Sequence, residues 1–282
     1  MPDVHEVEAS TPVVVAVAPN GAYRQRRDHP RIPITRDAIV AEAIACRDAG
    51  AALLHLHVRD AEGRHLLDAE AYRDATAAIR RAVGDAIVVQ ITTEAAGRYA
   101  RHAQFAVVRD VRPEAASVAL REVVPDAASE RDASAFFAWV RREGVMLQLI
   151  LYAPDDVARY RDLRARAVIP EGRDFLLFVL GRHAAGQVSD PADLLPFLAA
   201  HDGTTPWAAC AFGRKEAACV ITAAALGGHM RVGFENNVFL PDGSVAPDNA
   251  ALVRNAAAGA ALCGRPLARA DDVRATFGVD AR

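Results

Sequence analysis

The chain has 282 residues, of which 52% are hydrophobic, and its 33 basic and 36 acidic side chains give a formal net charge of -3. This length suits one large α/β domain, and the even charge balance argues against nucleic acid or an anionic membrane surface as a partner. The longest apolar runs, such as 174–180, are too short to span a membrane, and the N-terminus lacks the features of a signal peptide. We therefore expect a cytoplasmic protein that acts on small molecules.

Short apolar and β-branched runs alternate with alanine-rich amphipathic segments along the chain. This alternation indicates βα units and a parallel sheet with both faces covered. The eight predicted strands span residues 13–18, 52–58, 86–92, 116–120, 145–151, 175–180, 207–212 and 230–235. The predicted helices between and after them span residues 36–49, 68–83, 97–108, 129–142, 154–167, 191–200, 215–226 and 248–263.

Residues typical of helix ends flank several of these helices. Helix starts are marked by Thr35, by Ser129, by Ser189 or Asp190, and by Pro247, and helix ends by Gly50, Gly84 and Gly144. Eight units in about 250 residues predict a (β/α)8 TIM barrel. An open doubly wound sheet is the alternative, but no Gly-x-Gly-x-x-Gly follows the first strand. No linker divides the chain, so we expect a single domain over residues 1–282, with 1–11 as a flexible N-terminal tail.

The four cysteines show no Cys-x-x-Cys spacing and lie in apolar segments. This pattern favours free thiols in the core over disulfides or a zinc knuckle. The cysteines are Cys46, Cys210, Cys219 and Cys263.

The second predicted strand carries His55 and His57, and alternation along a strand directs both imidazoles to the same side. Catalytic zinc usually has three protein ligands, so a third is needed. Glu235 is the best candidate, because the eighth strand of a barrel neighbours the first and lies two places from the second. The alternative is that both histidines end a strand and hydrogen-bond to backbone.

Further polar residues fall at the predicted carboxyl ends of strands, where a barrel places its reactive groups. They include Asn20 and Gly21 after the first strand, Thr92, Thr93 and Glu94 after the third, and Arg231 and Asn236 on or after the eighth.

The motif His55-x-His-x-Arg-Asp60, combined with Gly227-Gly-His-x-Arg-Val-Gly-x-Glu235, resembles the β-keto acid cleavage enzymes, a family once of unknown function that includes 3-keto-5-aminohexanoate cleavage enzyme. The resemblance covers nearly the whole chain. It implies an oligomeric TIM barrel, a homodimer or homotetramer, that holds one Zn2+ through His55, His57 and Glu235. The implied reaction transfers an acyl group between a β-keto acid and acetyl-CoA, giving acetoacetate and a new acyl-CoA.

The resemblance also implies roles for single residues. Arg231 matches the family's catalytic arginine and would stabilise an oxyanion. Thr92 and Thr93 match hydroxyl residues that would contact the substrate or the oxyanion, and Asn20 and Gly21 would donate amide hydrogens beside them. Gln148 occupies a position where other members often have Glu, and we assign it to substrate binding.

Two positions depart from the family pattern. Asn236 stands where the family commonly has an Asp that serves as the base, and an amide cannot accept that proton. Glu94 stands where a Gly is usual. Our hypothesis is that Glu94 supplies the missing base or binds the substrate; the alternative is a carboxylate favoured by a helix start.

Four arginines follow the first strand, so we predict a neutral or anionic β-keto acid; they are Arg24, Arg26, Arg27 and Arg31.

Other polar residues have two interpretations each. His29 would line the pocket or sit in a solvated loop, and His183 and Arg214 would contact CoA phosphates or serve only as surface residues. Arg59 and Asp60 are better placed to orient ligands than to react.

Two other functions stay open at this point: a CoA-independent zinc lyase, aldolase or hydrolase, and a ligand-binding relative without turnover.

Overall fold

The computed structural model describes residues 11–282, and its central feature is a closed barrel of eight parallel strands. The predicted tail over 1–11 lies outside the described residues except for Thr11. In chain order the strands are β1 (Val15–Val17), β2 (Leu53–Leu56), β3 (Val58–Arg59), β4 (His65–Leu66), β5 (Val88–Thr92), β6 (Ala115–Ala119), β7 (Met146–Leu151), β8 (Phe175–Leu180), β9 (Trp207–Ala211) and β10 (His229–Val232).

The barrel closes where β10 pairs with β1, with Val15 opposite Met230 and Val17 opposite Val232. The remaining barrel strands follow in the order β1, β2, β5, β6, β7, β8, β9, β10, and all pairs are parallel. Strands β3 and β4 form a separate antiparallel hairpin above β2. The predicted TIM barrel is therefore confirmed.

Helices alternate with the strands, as a TIM barrel requires. They are α1 (Arg36–Asp48), α2 (Ala69–Val83), α3 (Arg101–Val111), α4 (Leu120–Val123), α5 (Glu130–Arg142), α6 (Pro154–Ala165), α7 (Leu194–Ala200), α8 (Glu216–Ala225), α9 (Asn249–Leu262) and α10 (Ala270–Phe277). Three short 3-10 turns cover Ala127–Ser129, Ala185–Gln187 and Pro191–Asp193. The sequence interpretation missed α4, α10 and the β3–β4 hairpin, because each is too short or too weakly patterned to give a periodic signal.

Two predicted boundaries are wrong in ways that affect the site. Helix α3 begins at Arg101 rather than at 97, because Ala96 and Gly97 both adopt positive φ angles, of 48° and 68°, which a helix cannot contain. The eighth barrel strand ends at Val232 rather than at 235. Glu235 therefore lies in a loop and not on a strand.

The helix-start signals are largely correct. The Thr35 hydroxyl accepts the Ala38 N–H at the start of α1. At two further predicted helix starts, an aspartate side chain accepts the backbone N–H. Asp190 does so rather than Ser189, and Asp248 does so rather than Pro247. A carboxylate can accept an orphan helix N–H, whereas proline has no side-chain acceptor.

The main core lies between the barrel and its helices, and a second apolar cluster fills the barrel interior from its amino-terminal end to the strand ends at Ala119 and Phe212. All four cysteines are free, and only Cys263 is partly exposed, so the prediction of core thiols is confirmed apart from that residue. Among residues 11–282, no helix is long and apolar enough to cross a bilayer.

Candidate active site

His55 and His57 lie side by side at the carboxyl end of β2, with their Nε2 atoms 3.1 Å apart. The Glu235 Oε2 atom is 3.6 Å from Nε2 of His55 and 3.3 Å from Nε2 of His57. Both histidines are buried, and the three ligand atoms lie within 4.8 Å of one another. The structure thus brings together the three residues that we expected to form a metal site, and no other group of this kind occurs among the described residues.

The hydrogen bonds around His55 fix the position of its proton. Its Nδ1 is 2.7 Å from Oε1 of Gln90, an oxygen that can only accept, so Nδ1 carries the hydrogen. Gln90 in turn donates from Nε2 to Oε1 of Gln148. Burial lowers the pKa of His55 to about 4, so the ring is neutral and its Nε2 presents a lone pair.

The same reasoning applies to His57 through a third histidine. Nε2 of His65 is 2.9 Å from the Glu94 carbonyl oxygen and must donate to it, which leaves Nδ1 of His65 as an acceptor. Nδ1 of His57, 3.4 Å away, therefore carries a hydrogen that it donates to His65. Burial lowers the pKa of His57 to about 3 and that of His65 to about 4, which keeps both rings neutral.

In these tautomers three electron-pair donors face each other with no hydrogen between them. The Oε2 atom of Glu235 has no hydrogen-bond partner, although it is buried. Such an arrangement is unfavourable in a buried site unless a cation lies among the donors. Two neutral imidazoles and one carboxylate form a ligand set typical of catalytic zinc. The residues present therefore fit a divalent cation.

Glu235 is held in place by its loop. Its backbone N–H donates to the Ala18 carbonyl, and its Oε1 accepts from Arg231 at 2.8 Å. Burial by itself raises the pKa of Glu235, but Arg231 together with the contacts of His57 and His55 lowers it well below its usual range. Gly21, with φ of 61°, leaves the space that Glu235 fills, because a Cβ atom there would lie 2.5 Å from Cγ of Glu235.

A chamber of about 410 Å3 opens beside these ligands, toward strands β6 to β9. Its lining combines polar residues near the ligands with apolar residues on the far side. The lining residues are His55, Thr92, Glu94, Ser117, Ala119, Glu122, Ile150, Tyr152, Val179, Arg182, Phe212, Arg231 and Glu235. A second cavity nearer the surface, which we call the vestibule, shares Glu94, Arg182, Phe212 and Glu235 with the chamber. These four residues therefore form the boundary between the two cavities.

Glu94 lies in the loop after β5, with its Oε2 3.9 Å from Nε2 of His57 and its Oε1 3.7 Å from Arg182. Burial, aided by the charge of Glu235, raises the pKa of Glu94 to about 7. It lies seven residues before α3, whereas the helix dipole acts mainly within the first turn. The alternative interpretation as a helix-start carboxylate is therefore wrong.

Thr92 and Thr93, at the carboxyl end of β5, face in different directions. Thr92 lines the chamber, and its hydroxyl oxygen accepts the Glu94 N–H. Thr93 donates from its hydroxyl to the Ser117 carbonyl and lines neither cavity. Ser117 itself lines the chamber, and its buried Oγ has no hydrogen-bond partner, so it offers a free hydroxyl to a ligand.

Several predicted site residues lie behind the site rather than in it. Asn20 donates from its side chain to the carbonyls of Pro33 and His57, and it borders only the vestibule. Gln148 is buried against Gln90, and Asn236 is fully buried; neither lines the chamber or the vestibule.

The structure also shows the contacts of Arg59, His29 and Arg214, whose roles the sequence left open. Arg59 donates to the carbonyls of Asn20, Gly21, Arg24 and Gly63, so it orders the first loop, in agreement with an orienting role. His29 is buried, and its ring bonds to the Ala246 carbonyl, so it is neither solvated nor a pocket residue. Arg214 bonds to the Gly243 carbonyl and lies over the Phe239 ring.

The sequence interpretation gave no role to several residues of the site, among them Gln90, His65, Ser117, Glu122 and Arg182. His65 belongs to the unpredicted hairpin, and no spacing rule links it to the metal ligands. Arg182 follows β8, where catalytic residues of a barrel are expected, and this position was a usable signal. Its guanidinium lies between the rings of Tyr23 and Phe212, 4.9 and 5.1 Å from their centres.

The sequence was also compared with known proteins. The family model described as "beta-keto acid cleavage enzyme" matches residues 12–279. The chain is 28% identical over 274 residues to 3-keto-5-aminohexanoate cleavage enzyme of Acetoanaerobium sticklandii, covering 95% of this chain and 98% of that protein. It is 29% identical over 280 residues to 3-oxoadipate:acetyl-CoA acetyltransferase of Cupriavidus necator, covering 95% of each.

Solved structures support the fold. The binary complex of ObcA with oxaloacetate aligns with a TM-score of 0.72 at 18% identity, over 89% of this chain and 68% of that one. A type I 3-dehydroquinate dehydratase from Clostridium difficile aligns with a TM-score of 0.58 at 11% identity, over 88% of this chain and 92% of that one. At these identities the likeness concerns the barrel alone.

Proposed function

Because the chain belongs to the beta-keto acid cleavage enzyme family, we propose that it transfers an acyl group between a β-keto acid and acetyl-CoA in a zinc-dependent reaction. The products are acetoacetate and a new acyl-CoA. The observation that carries this proposal is the group of His55, His57 and Glu235, whose three lone pairs face one another beside a chamber of about 410 Å3. The acyltransferase named among the relatives supports the same reaction.

His55, His57 and Glu235 would hold the metal ion, and Gln90 and His65 would hold the two imidazoles in the tautomers that it needs. When bound, the ion supplies positive charge that makes the carbon between the carboxylate and keto groups of the acid more acidic. Nitrogen and oxygen ligands suit zinc, although other divalent transition metals accept the same set.

The reaction balances without any further reagent. A base removes a proton from C2 of the β-keto acid, and C2 attacks the acetyl carbonyl carbon of acetyl-CoA, which releases the CoA thiolate. The thiolate adds to C3, the original keto carbon, and the C2–C3 bond breaks. The electron pair remains on the acetoacetate fragment, which takes the proton back from the base. The acyl group of the acid leaves as its CoA thioester.

Three donors in the chamber are free to hold the oxygens that gain charge in these steps. The Nε–H of Arg231 is buried with no partner, and so is the hydroxyl of Ser117. The Thr92 oxygen accepts the Glu94 N–H, which leaves its own hydrogen available. Preorganised donors of this kind stabilise developing oxyanions. We therefore assign to the Arg231 guanidinium the oxyanion role that the family resemblance implies.

Glu94 is the residue that we propose as the base. Its carboxylate is at the chamber boundary, 3.9 Å from the ligand atom of His57, whereas the side chain of Asn236 lines neither cavity and its amide cannot accept a proton. Arg182 and Tyr23 contact the Glu94 carboxylate and orient it. A substrate that binds at the three ligands would bring C2 near this oxygen.

Replacing the base tests this assignment. We expect Glu94→Gln to lower kcat about 100-fold or more, with unchanged zinc content, because a positioned base contributes roughly 10^2–10^4-fold to rate. Exchange of the C2 hydrogens in D2O, followed by NMR without acetyl-CoA, should slow by a similar factor. Glu171→Gln, an exposed carboxylate with the same change, is the control. Unchanged exchange in Glu94→Gln would remove Glu94 from this role.

The overall function is tested by acetoacetate formation from zinc-loaded protein, acetyl-CoA and a panel of β-keto acids. We expect product only when both reactants and the metal are present. Cleavage of the acid without acetyl-CoA would favour a CoA-independent lyase, aldolase or hydrolase. Saturable binding of the acid without any product would favour a ligand-binding relative.

A further inference from the structure

The side of the chamber opposite the three ligands carries polar residues, Ser117, Glu122, Tyr152 and Arg182, as well as apolar ones. Its apolar part is formed by one side chain at or near the end of each of four successive strands, β6 to β9. These four residues, which we call the far wall, are Ala119, Ile150, Val179 and Phe212, and all are buried. A substrate held at the ligands by its carboxylate and keto oxygens can place the rest of its acyl chain against this wall.

The charged side chains that line the chamber already have partners. Arg231 is paired with Glu235 at 2.8 Å, and Arg182 with Glu94 at 3.7 Å. The Glu122 carboxylate accepts the Ala95 N–H at 3.2 Å and the amide of Gln104 at 2.6 Å. A second carboxylate would displace Glu94 from Arg182 or lie buried without a counter-charge, and an ammonium group would be desolvated against Glu94 or against Glu122, whose carboxylate already accepts two hydrogen bonds; both are costly.

We propose that the β-keto acid carries a short, uncharged, apolar acyl chain that packs against the far wall. The inference rests on the proposed function and narrows its substrate class from neutral or anionic acids to apolar ones. Burial of methylene groups against the apolar far wall stabilises the bound acid. The far wall belongs to the buried apolar cluster of the barrel interior, which closes the chamber on this side, so a long chain does not fit beside the acetyl end of the thioester.

Two kinds of charged acyl chain would each find an oppositely charged residue in the chamber. A second carboxylate would pair with Arg182 if Arg182 left Glu94, and an ammonium group would pair with Glu94 or Glu122. Acids of both kinds occur in the names of relatives, 3-oxoadipate for the dianion and 3-keto-5-aminohexanoate for the cation. Together with 3-oxohexanoate they form a set of six-carbon acids that differ mainly in charge.

The experiment is to measure kcat/KM for acetyl-CoA-dependent acetoacetate formation with these three acids and the zinc-loaded protein. We expect 3-oxohexanoate to exceed both charged acids at least 100-fold, and to exceed 3-oxopentanoate about fourfold for its extra methylene. A charged acid that matched 3-oxohexanoate would overturn the inference and leave the proposed function intact. Acetoacetate from none of the acids would instead refute the proposed function.

Substitution of a far-wall residue tests whether the acyl chain lies against the far wall. Ile150→Ala should raise the kcat/KM ratio of 3-oxooctanoate to 3-oxohexanoate at least tenfold, because the shortened side chain makes room for two more methylenes. Ile44→Ala, which makes the same change on helix α1 far from the chamber, is the control and should leave the ratio unchanged. An unchanged ratio in folded, active Ile150→Ala would overturn the placement of the chain against the far wall.

Discussion

His65 shows how one residue outside the proposed ligand set fixes the state of a proposed metal ligand. Its ring lies between the Glu94 carbonyl and Nδ1 of His57, and these two contacts together determine where the His57 proton lies. Partners of this kind commonly change metal affinity 10–100-fold when they are removed. His65 also joins the metal ligand to the backbone of the proposed base, so one side chain aligns both.

We expect His65→Phe to weaken zinc affinity about 10–100-fold, because Phe keeps a ring in the space but cannot accept the His57 hydrogen. Competition with a zinc chelator measures this affinity directly. His102→Phe makes the same change at an exposed position of α3 and should leave affinity unchanged. If His65→Phe binds zinc as tightly as the unmodified chain while folding normally, the tautomer assignment is wrong.

At the scale of elements, the site depends on contact between the first and last loops of the barrel. The loop after β1 provides Gly21, and the loop after β10 carries Glu235 into the space beside it. Gly233 allows this loop to bend against β1, because a Cβ atom there would lie 2.3 Å from the Ala18 carbonyl oxygen. Glu216 of α8 supports the same loop by accepting the Gly233 N–H at 3.1 Å.

Gly21→Ala should displace Glu235 and weaken zinc affinity at least tenfold, since the new methyl group would collide with Cγ of Glu235. Gly144→Ala is a matched control, because Gly144 has the same φ of 61° and its added Cβ would meet only the end of the Arg282 side chain, at an ordinary contact distance of 3.5 Å. Both variants should lose about 1–2 kcal/mol of stability to backbone strain. Only Gly21→Ala should lose metal, and equal zinc affinity in the two variants would contradict this account.

For the whole molecule, the two ends of the barrel differ in chemistry. The carboxyl end holds the proposed ligands, the chamber and the vestibule, whereas the buried charged groups at the amino end pair with one another, as Glu114 does with Arg274 and Asp174 with Arg164. His229 also lies at the amino end, where its Nδ1 accepts the Val14 N–H at 3.0 Å and its ring lies against Phe175. A homodimer or homotetramer remains a prediction, which light scattering on the purified protein would check.

His229 should make the fold sensitive to acid. Burial lowers its pKa from 6.5 to about 4, so between these values the unfolded chain takes up a proton that the folded chain does not. Stability therefore falls as the pH drops from about 6.5 to about 4, by up to about 3 kcal/mol from this group. His229→Gln should lose less stability than the unmodified chain over this interval when urea unfolding is followed at several pH values. Parallel losses in the two proteins would show that His229 does not contribute.

Much of the site follows from local sequence. The alternation of apolar runs with amphipathic segments, repeated eight times, is sufficient to predict the barrel, and alternation within one strand is sufficient to place His55 beside His57. Arg231 and Thr92 line the chamber because strand ends in a barrel converge on one face. These features are set by hydrophobic periodicity, which each segment carries by itself.

The tertiary structure alone decided what joins distant segments. Glu235 reaches the histidines from a loop and not from a strand, and that position depends on the close approach of Gly233 to Ala18. The contact of His65 with His57, and the pairing of Arg182 with Glu94, depend on loops whose paths have no periodic signal. The sequence by itself therefore determined the barrel and the pairing of His55 with His57, because periodic burial is a local property. Only packing between loops decided the third ligand's path, the proton positions and the shape of the chamber.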